Sequence, residues 1–77
     1  MTPFKIVGEY VTLGQFLKEI SEIPSGGAAK WYLQDYPVVI DGQMETRRGR
    51  KIYPQMTVQL TSNDEVYLFT SDDRDES

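Results

Sequence analysis

The amino-acid sequence predicts an α+β fold in which two packed helices lie against a small, mainly antiparallel sheet. Three observations lead there. Apolar residues Leu13, Phe16, Leu17 and Ile20 recur at helical spacing behind a capping signal. The β-branched run Val38-Val39-Ile40 leads into Asp41-Gly42, a favoured pair for a two-residue hairpin turn. Strand-like runs then alternate with turn signals up to Thr70.

Taken in order, Phe4-Lys5-Ile6-Val7 alternates apolar and polar before Gly8, which predicts a short strand or arm with Phe4 and Ile6 facing inward. Thr12 caps the first helix, and Gln15, three positions on, completes a capping box. Ile23-Pro24-Ser25-Gly26-Gly27 ends it, because proline disfavours helix in the residue before it. Ser25 is then placed to cap a second helix from about Gly27 to Asp35, with Ala28, Ala29, Tyr32, Leu33 and Tyr36 as its apolar surface. Gly26, Gly27, Ala28 and Ala29 are small enough to bring the two helices close. Lys30, Trp31 and Gln34 fall towards the other side.

From Pro37 the signals turn to strand. Val38-Val39-Ile40, Asp41-Gly42 and Gln43-Met44-Glu45 form the predicted hairpin. Ile52 returns to apolar territory after a basic cluster, Tyr53-Pro54-Gln55 suggests a turn, and Val58 and Leu60 alternate with Thr57 and Gln59. After Thr61-Ser62-Asn63-Asp64, the run Glu65 to Thr70 supplies the last strand.

A chain of 77 residues sustains one hydrophobic core. The predicted organisation is a single domain over residues 1–70 and an acidic, flexible tail over 71–77, where Asp72, Asp73, Asp75 and Glu76 face one Arg74. The longest apolar stretch, Tyr36 to Ile40, is far too short to span a bilayer, and Met1 to Lys5 does not open a signal peptide. These features read as a cytoplasmic protein with no membrane partner. Cysteine and histidine are both absent, which removes disulfides, thiolate zinc sites and the commonest general base. The expectation is therefore a protein that is not an enzyme and holds neither metal nor small-molecule cofactor.

The formal net charge of −4 argues, taken alone, against a polyanionic partner. Its distribution argues the other way. Setting aside the acidic tail leaves −1, and four bases stand among five residues in Arg47-Arg48-Gly49-Arg50-Lys51. A local patch matters more to a phosphate backbone than the average over the chain. Arginine suits the task because its planar fork bonds two phosphate oxygens at once and stacks on an unpaired base.

Other residues carry competing readings. Trp31, beside Lys30, suits either a stacked base or the edge of the core. Tyr32, Tyr36, Tyr53 and Tyr67 read as structural. Asp41 and Glu45 lie near the basic run, but the hairpin turn accounts for Asp41 and pairing with an arginine for Glu45, so no metal site is assigned. Gly26-Gly27 opens a helix without the full phosphate-loop pattern, and close packing explains it better.

Three blocks of this chain resemble the S-four domain, the RNA-binding module named after small-subunit ribosomal protein four. They are Tyr10-Val11-Thr12-Leu13-Gly14-Gln15-Phe16-Leu17-Lys18, Ser25-Gly26-Gly27-Ala28-Ala29-Lys30, and Val38-Val39-Ile40-Asp41-Gly42 followed by Arg47-Arg48-Gly49-Arg50-Lys51. The combination is most similar to the short, stand-alone bacterial members called YaaA-like. The resemblance implies two helices on a small sheet (the αL motif), with an RNA-accepting groove between the helices and the first hairpin. It also implies binding of structured RNA, mostly ribosomal, with the ribosomal subunit as a partner and a part in ribosome assembly. Family contact positions carry over to Lys30, Arg47, Arg48, Arg50 and Lys51, and Trp31 and Gln34 on the same helix face as Lys30 join the expected RNA-binding set. One departure is plain: where the family has Gly-Asp before its next strand, this chain has Tyr53-Pro54-Gln55-Met56. The residues alone leave a second reading open, a protein-interaction module that docks an acidic partner through the same basic loop.

Overall fold

The computed structural model describes residues 1–71, arranged as seven strands, two α-helices and one 3₁₀ turn. The strands are β1 (Thr2–Ile6), β2 (Val11–Thr12), β3 (Val38–Ile40), β4 (Gln43–Glu45), β5 (Lys51–Ile52), β6 (Thr57–Gln59) and β7 (Val66–Ser71). Helices α1 (Leu13–Glu19) and α2 (Ala29–Asp35) are separated by the 3₁₀ turn Gly26–Ala28. Five strands form one sheet in the order β1-β7-β6-β3-β4, and β2 and β5 form a separate antiparallel pair. Every pairing is antiparallel except β1 with β7, which run parallel from Thr2 opposite Tyr67 to Ile6 opposite Ser71. The α+β fold expected from the sequence is the one observed.

Local chemistry explains the elements. Thr12 holds the extended conformation of a helix cap, and its hydroxyl accepts a hydrogen bond from the Gln15 N–H at 3.3 Å. The Gln15 side chain returns one from the Thr12 N–H at 3.1 Å, so the capping box is complete. At the hairpin, Asp41 (φ 49°) and Gly42 (φ 87°) both occupy the left-handed region that a type I′ turn requires. The Asp41 carboxylate also accepts hydrogen bonds from the Thr57 N–H at 2.9 Å and the Thr57 hydroxyl at 3.1 Å, tying the hairpin tip to β6.

The core lies between the helices and one face of the large sheet. Leu13, Phe16 and Leu17 from α1 meet Leu33 from α2, Val38 and Ile40 from β3, Val58 from β6 and Phe69 from β7, all buried. Phe16 is its aromatic hub, with ring centroids 4.8 Å from Phe69 and 5.0 Å from both Phe4 and Tyr67. Each buried aliphatic or aromatic side chain of this kind contributes about 1.5–3 kcal/mol. Phe4 and Ile6 face inward as their alternation predicts, Phe4 partly and Ile6 fully buried.

Two details differ from the sequence reading, and a third removes one of its alternatives. The Ser25 side chain makes no capping bond; its carbonyl accepts from the Ala28 N–H at 3.1 Å, which winds a 3₁₀ turn ahead of α2. Nor do Gly26 and Gly27 bring the helices together, since a Cβ at either would meet almost nothing. Close approach happens at Gly14, where a Cβ would stand 3.6 Å from that of Ala29 and 3.5 Å from that of Arg48. Trp31 is not at the core edge, being 65% exposed. The predicted acidic tail, apart from Ser71 in β7, lies outside the described residues.

The departure at residues 53–56 has a backbone consequence. The Met56 N–H donates to the Tyr53 carbonyl at 3.2 Å, closing a turn with Pro54 at its second position and Gln55 at its third with φ 80°. That is a type II turn, whose third position favours glycine. Gln55→Gly is expected to raise stability by about 0.5–1 kcal/mol by relieving a left-handed side-chain residue, read as a higher denaturant midpoint at unchanged m-value.

Candidate nucleic-acid interface

The basic run forms the connection from β4 to β5, and two anchors shape it. The first is helix α1, whose leading N–H groups have no partner within the helix. The Arg50 carbonyl accepts from the Leu13 N–H at 2.8 Å, and the Arg48 carbonyl accepts from the Gly14 N–H at 2.9 Å. The loop's own backbone thus satisfies the helix start, while the β2–β5 pair, Val11 opposite Ile52 and Thr12 opposite Lys51, fixes where it leaves.

The second anchor is Glu45, whose side chain is 8% exposed. A carboxylate so placed keeps its charge only with several donors. Its Oε2 accepts from the N–H groups of Thr46 and Arg47 at 3.1 and 3.0 Å and from Arg47 Nε at 3.0 Å. Oε1 accepts from Arg47 Nη2 at 3.2 Å and Arg50 Nη1 at 3.0 Å. The Arg47 hydrogen bond, more than any other influence, pulls the Glu45 carboxyl from its ordinary 4.5 to about 2, against the opposing pull of burial. Arg47 is raised in return by the same carboxylate.

Glu45 was expected to pair with one arginine and it holds two. Four cations against one carboxylate still leave the loop a net charge of +3. Arg47 keeps 77% of its side chain in solvent and Arg50 35%. Arg48 and Lys51 are exposed and have no carboxylate partner among the described residues. Lys51 instead stands with its Nζ 5.0 Å from the ring centroid of Tyr10, a cation–π contact.

The remaining predicted residues come from α2. Lys30, Trp31 and Gln34 are all exposed, and the Lys30 Nζ lies 5.5 Å from the Trp31 ring centroid. Gly14 connects this helix to the loop, because the point where its Cβ would stand touches both Arg48 and Ala29, the residue before Lys30. On the open side of that contact runs a groove lined by Thr12, Gly14, Gln15, Gly26, Arg48 and Gly49. Gly49 does not use a left-handed conformation, and a Cβ there would meet open space, so its small size leaves room outside the loop rather than shaping it.

Two aromatic residues escaped the sequence reading. Tyr10 is 39% and Tyr53 45% exposed, with ring centroids 5.7 Å apart, and Tyr53 shares a second groove with the loop arginines. From the sequence alone Tyr53 reads as structural. The available sign was positional: both tyrosines sit one residue outside the ends of what becomes the β2–β5 pair, but that pairing has no local signature. Among the described residues no group of three or more acidic side chains is placed to hold a metal ion, and no helix is long and apolar enough to cross a membrane.

The Glu45 shift carries a pH dependence. Its folded pKa lies below its unfolded value, so the stability it supplies is present above about pH 4.5 and lost as pH falls through about 2. Glu45→Gln is expected to cost about 1–2 kcal/mol at neutral pH, discounted for the solvent around Arg47. It should also flatten the decline between pH 4.5 and 2 in acid unfolding curves.

Comparison with known proteins shows the family. A family profile described as "S4 domain" matches residues 4–68. The chain is 45% identical over 58 residues to a Bacillus subtilis (strain 168) protein named "probable ribosome maturation protein RlbA", covering 75% of this chain and 82% of that one. No solved structure matches the chain significantly. With a profile that spans nearly the whole folded body and a relative this similar, the chain belongs to the S4 domain family.

Proposed function

We propose that this protein is a non-catalytic RNA-binding module that takes ribosomal RNA or a ribosomal precursor during ribosome assembly. The interface is formed by Lys30, Arg47, Arg48, Arg50 and Lys51, with Trp31 and Gln34 beside Lys30. One observation carries the reading: Arg48 and Lys51 are exposed on a doubly anchored loop with no carboxylate among the described residues against them, which leaves their charge to a polyanion. The relative's name, a ribosome maturation protein, supports the ribosomal setting. A non-catalytic role is supported by a chain with neither histidine nor cysteine and by an anchoring carboxylate already engaged by two guanidiniums.

Holding the loop before RNA arrives matters energetically, since ordering long side chains on binding costs about 0.5–1.5 kcal/mol each. Arg47 and Arg50 have met much of that cost in the free protein, their free edges still facing water. The groove beside Gly26 and Gly49 is wide of side chains, leaving a phosphate backbone a close path along the loop.

The test is a salt titration of binding to ribosomal RNA fragments. With all five bases engaged, log affinity should fall against log salt with a slope of up to about −3.5 on single-stranded regions, at roughly 0.7 per contact. Replacing Arg48 and Lys51 together by Ala should weaken binding and reduce the steepness by roughly 1.4. Unchanged affinity and slope would discard this site, and partners that survive complete nuclease treatment of a lysate would favour an acidic protein instead.

A further inference from the structure

The second groove beside the loop is built differently from a phosphate track. Its lining is Arg47, Gly49, Arg50, Lys51, Tyr53 and Met56. The lining brings three cationic residues together with a tyrosine and a methionine. Tyr53 is held firmly. Its carbonyl accepts from the Met56 N–H at 3.2 Å, its N–H donates to Met56 Sδ at 3.2 Å, and Tyr10 backs its ring at 5.7 Å. The turn is fastened to β7 through the Gln55 N–H on the Phe69 carbonyl at 2.8 Å and the Phe69 N–H on the Met56 carbonyl at 2.9 Å. Nearly half of the Tyr53 surface nonetheless faces solvent.

We infer that this groove is a nucleotide subsite, in which one unpaired base of the bound RNA stacks on Tyr53 against Met56 while its phosphate meets Lys51 and Arg47. The inference rests on the RNA-binding reading above and adds to it the kind of RNA preferred: a stem carrying a looped or bulged nucleotide, not an uninterrupted duplex. Several features converge on that occupant. A flat ring beside guanidiniums matches a nucleotide, which offers a π face and an anion a few ångströms apart. The Lys51 ammonium lies 5.0 Å from the Tyr10 ring centroid, a contact that favours one position of a long side chain over the others. A paired base buried within a helical stack has no face to offer Tyr53. The groove therefore discriminates by pairing state, with little sequence preference, since every base has a π face.

The probes are a stem-loop RNA with an unpaired adenine loop and the fully paired duplex of the same stem, each titrated at several salt concentrations. Stacking releases no counterions, so Tyr53→Leu, which keeps apolar contact with Tyr10 and Met56, should weaken stem-loop binding about five- to a hundredfold with the salt slope unchanged. Duplex affinity should stay as it was. Tyr53→Phe should bind the stem-loop as the wild type does, which separates the ring from the hydroxyl, and matched thermal melts establish that both variants are folded. If Tyr53→Leu binds the stem-loop normally while the Arg48, Lys51 double variant does not, the subsite is wrong and the RNA reading stands. Equal weakening on both RNAs also overturns it, by making Tyr53 a contributor to loop shape alone. Failure of the wild type to bind either RNA overturns both readings together.

Discussion

A carboxylate almost shut off from water retains its charge only if donors surround it, and Glu45 draws every one of its donors from the loop that follows. Two are backbone N–H groups, which set the direction of the chain as it leaves β4. The others are guanidiniums, which draw Arg47 and Arg50 onto one point. The opposite end of the same loop is held by the start of α1, whose spare N–H groups find carbonyls at Arg48 and Arg50. Between these fixtures a sequence of four like charges, which would otherwise repel and wander, has one shape. The cost is partial: one negative charge is placed inside a positive cluster, and the cluster remains positive.

That arrangement divides labour among four similar residues. Arg47 and Arg50 serve the loop's form as well as its charge, whereas Arg48 and Lys51 pair with no carboxylate among the described residues. Arg48 contributes its carbonyl to the helix and its side chain to solvent, so backbone and side chain of one residue answer to different demands. The whole-chain charge is negative, yet at separations of several ångströms a receptor senses this surface far more than the distant remainder, because salt screens the latter within about 8–10 Å.

Much of the architecture was legible in the residues. Thr12 with Gln15, Asp41 with Gly42, the alternation around Val58 and the run from Glu65 to Thr70 are local signals, and each corresponds to the element it predicts. The α+β class follows from their order. What local signals cannot carry is partner choice across the chain: the parallel union of β1 with β7, and the two-residue pair β2–β5, leave no trace in their own composition. The Ser25 cap failed because a 3₁₀ turn satisfies the backbone there without a side chain. Gly14 lies within a recognisable motif, but its significance as the meeting point of α1, α2 and the loop depends on three distant segments. For the candidate site, the basic residues were readable as a run, and Glu45 as a partner to arginine. That it holds two of them, and that Tyr10 and Tyr53 come to stand beside the run, needed the tertiary arrangement.

The parallel strand at the sheet's edge bears on the order in which the molecule assembles. Among the described residues β1 has β7 as its only neighbour in the sheet, and residue 2 faces residue 67. Contacts that distant along the chain are slow to form, because nearly the whole polypeptide must be closed into a ring before they are rewarded. During synthesis, Phe4 and Ile6 have no sheet to join until the segment ending at Ser71 has emerged. The helices, hairpin and basic loop are all made earlier, but Phe16 of α1 and the turn after Tyr53 both rest on Phe69, so the surface proposed to meet RNA is complete only once β7 docks, and until then the apolar side of β1 stays uncovered.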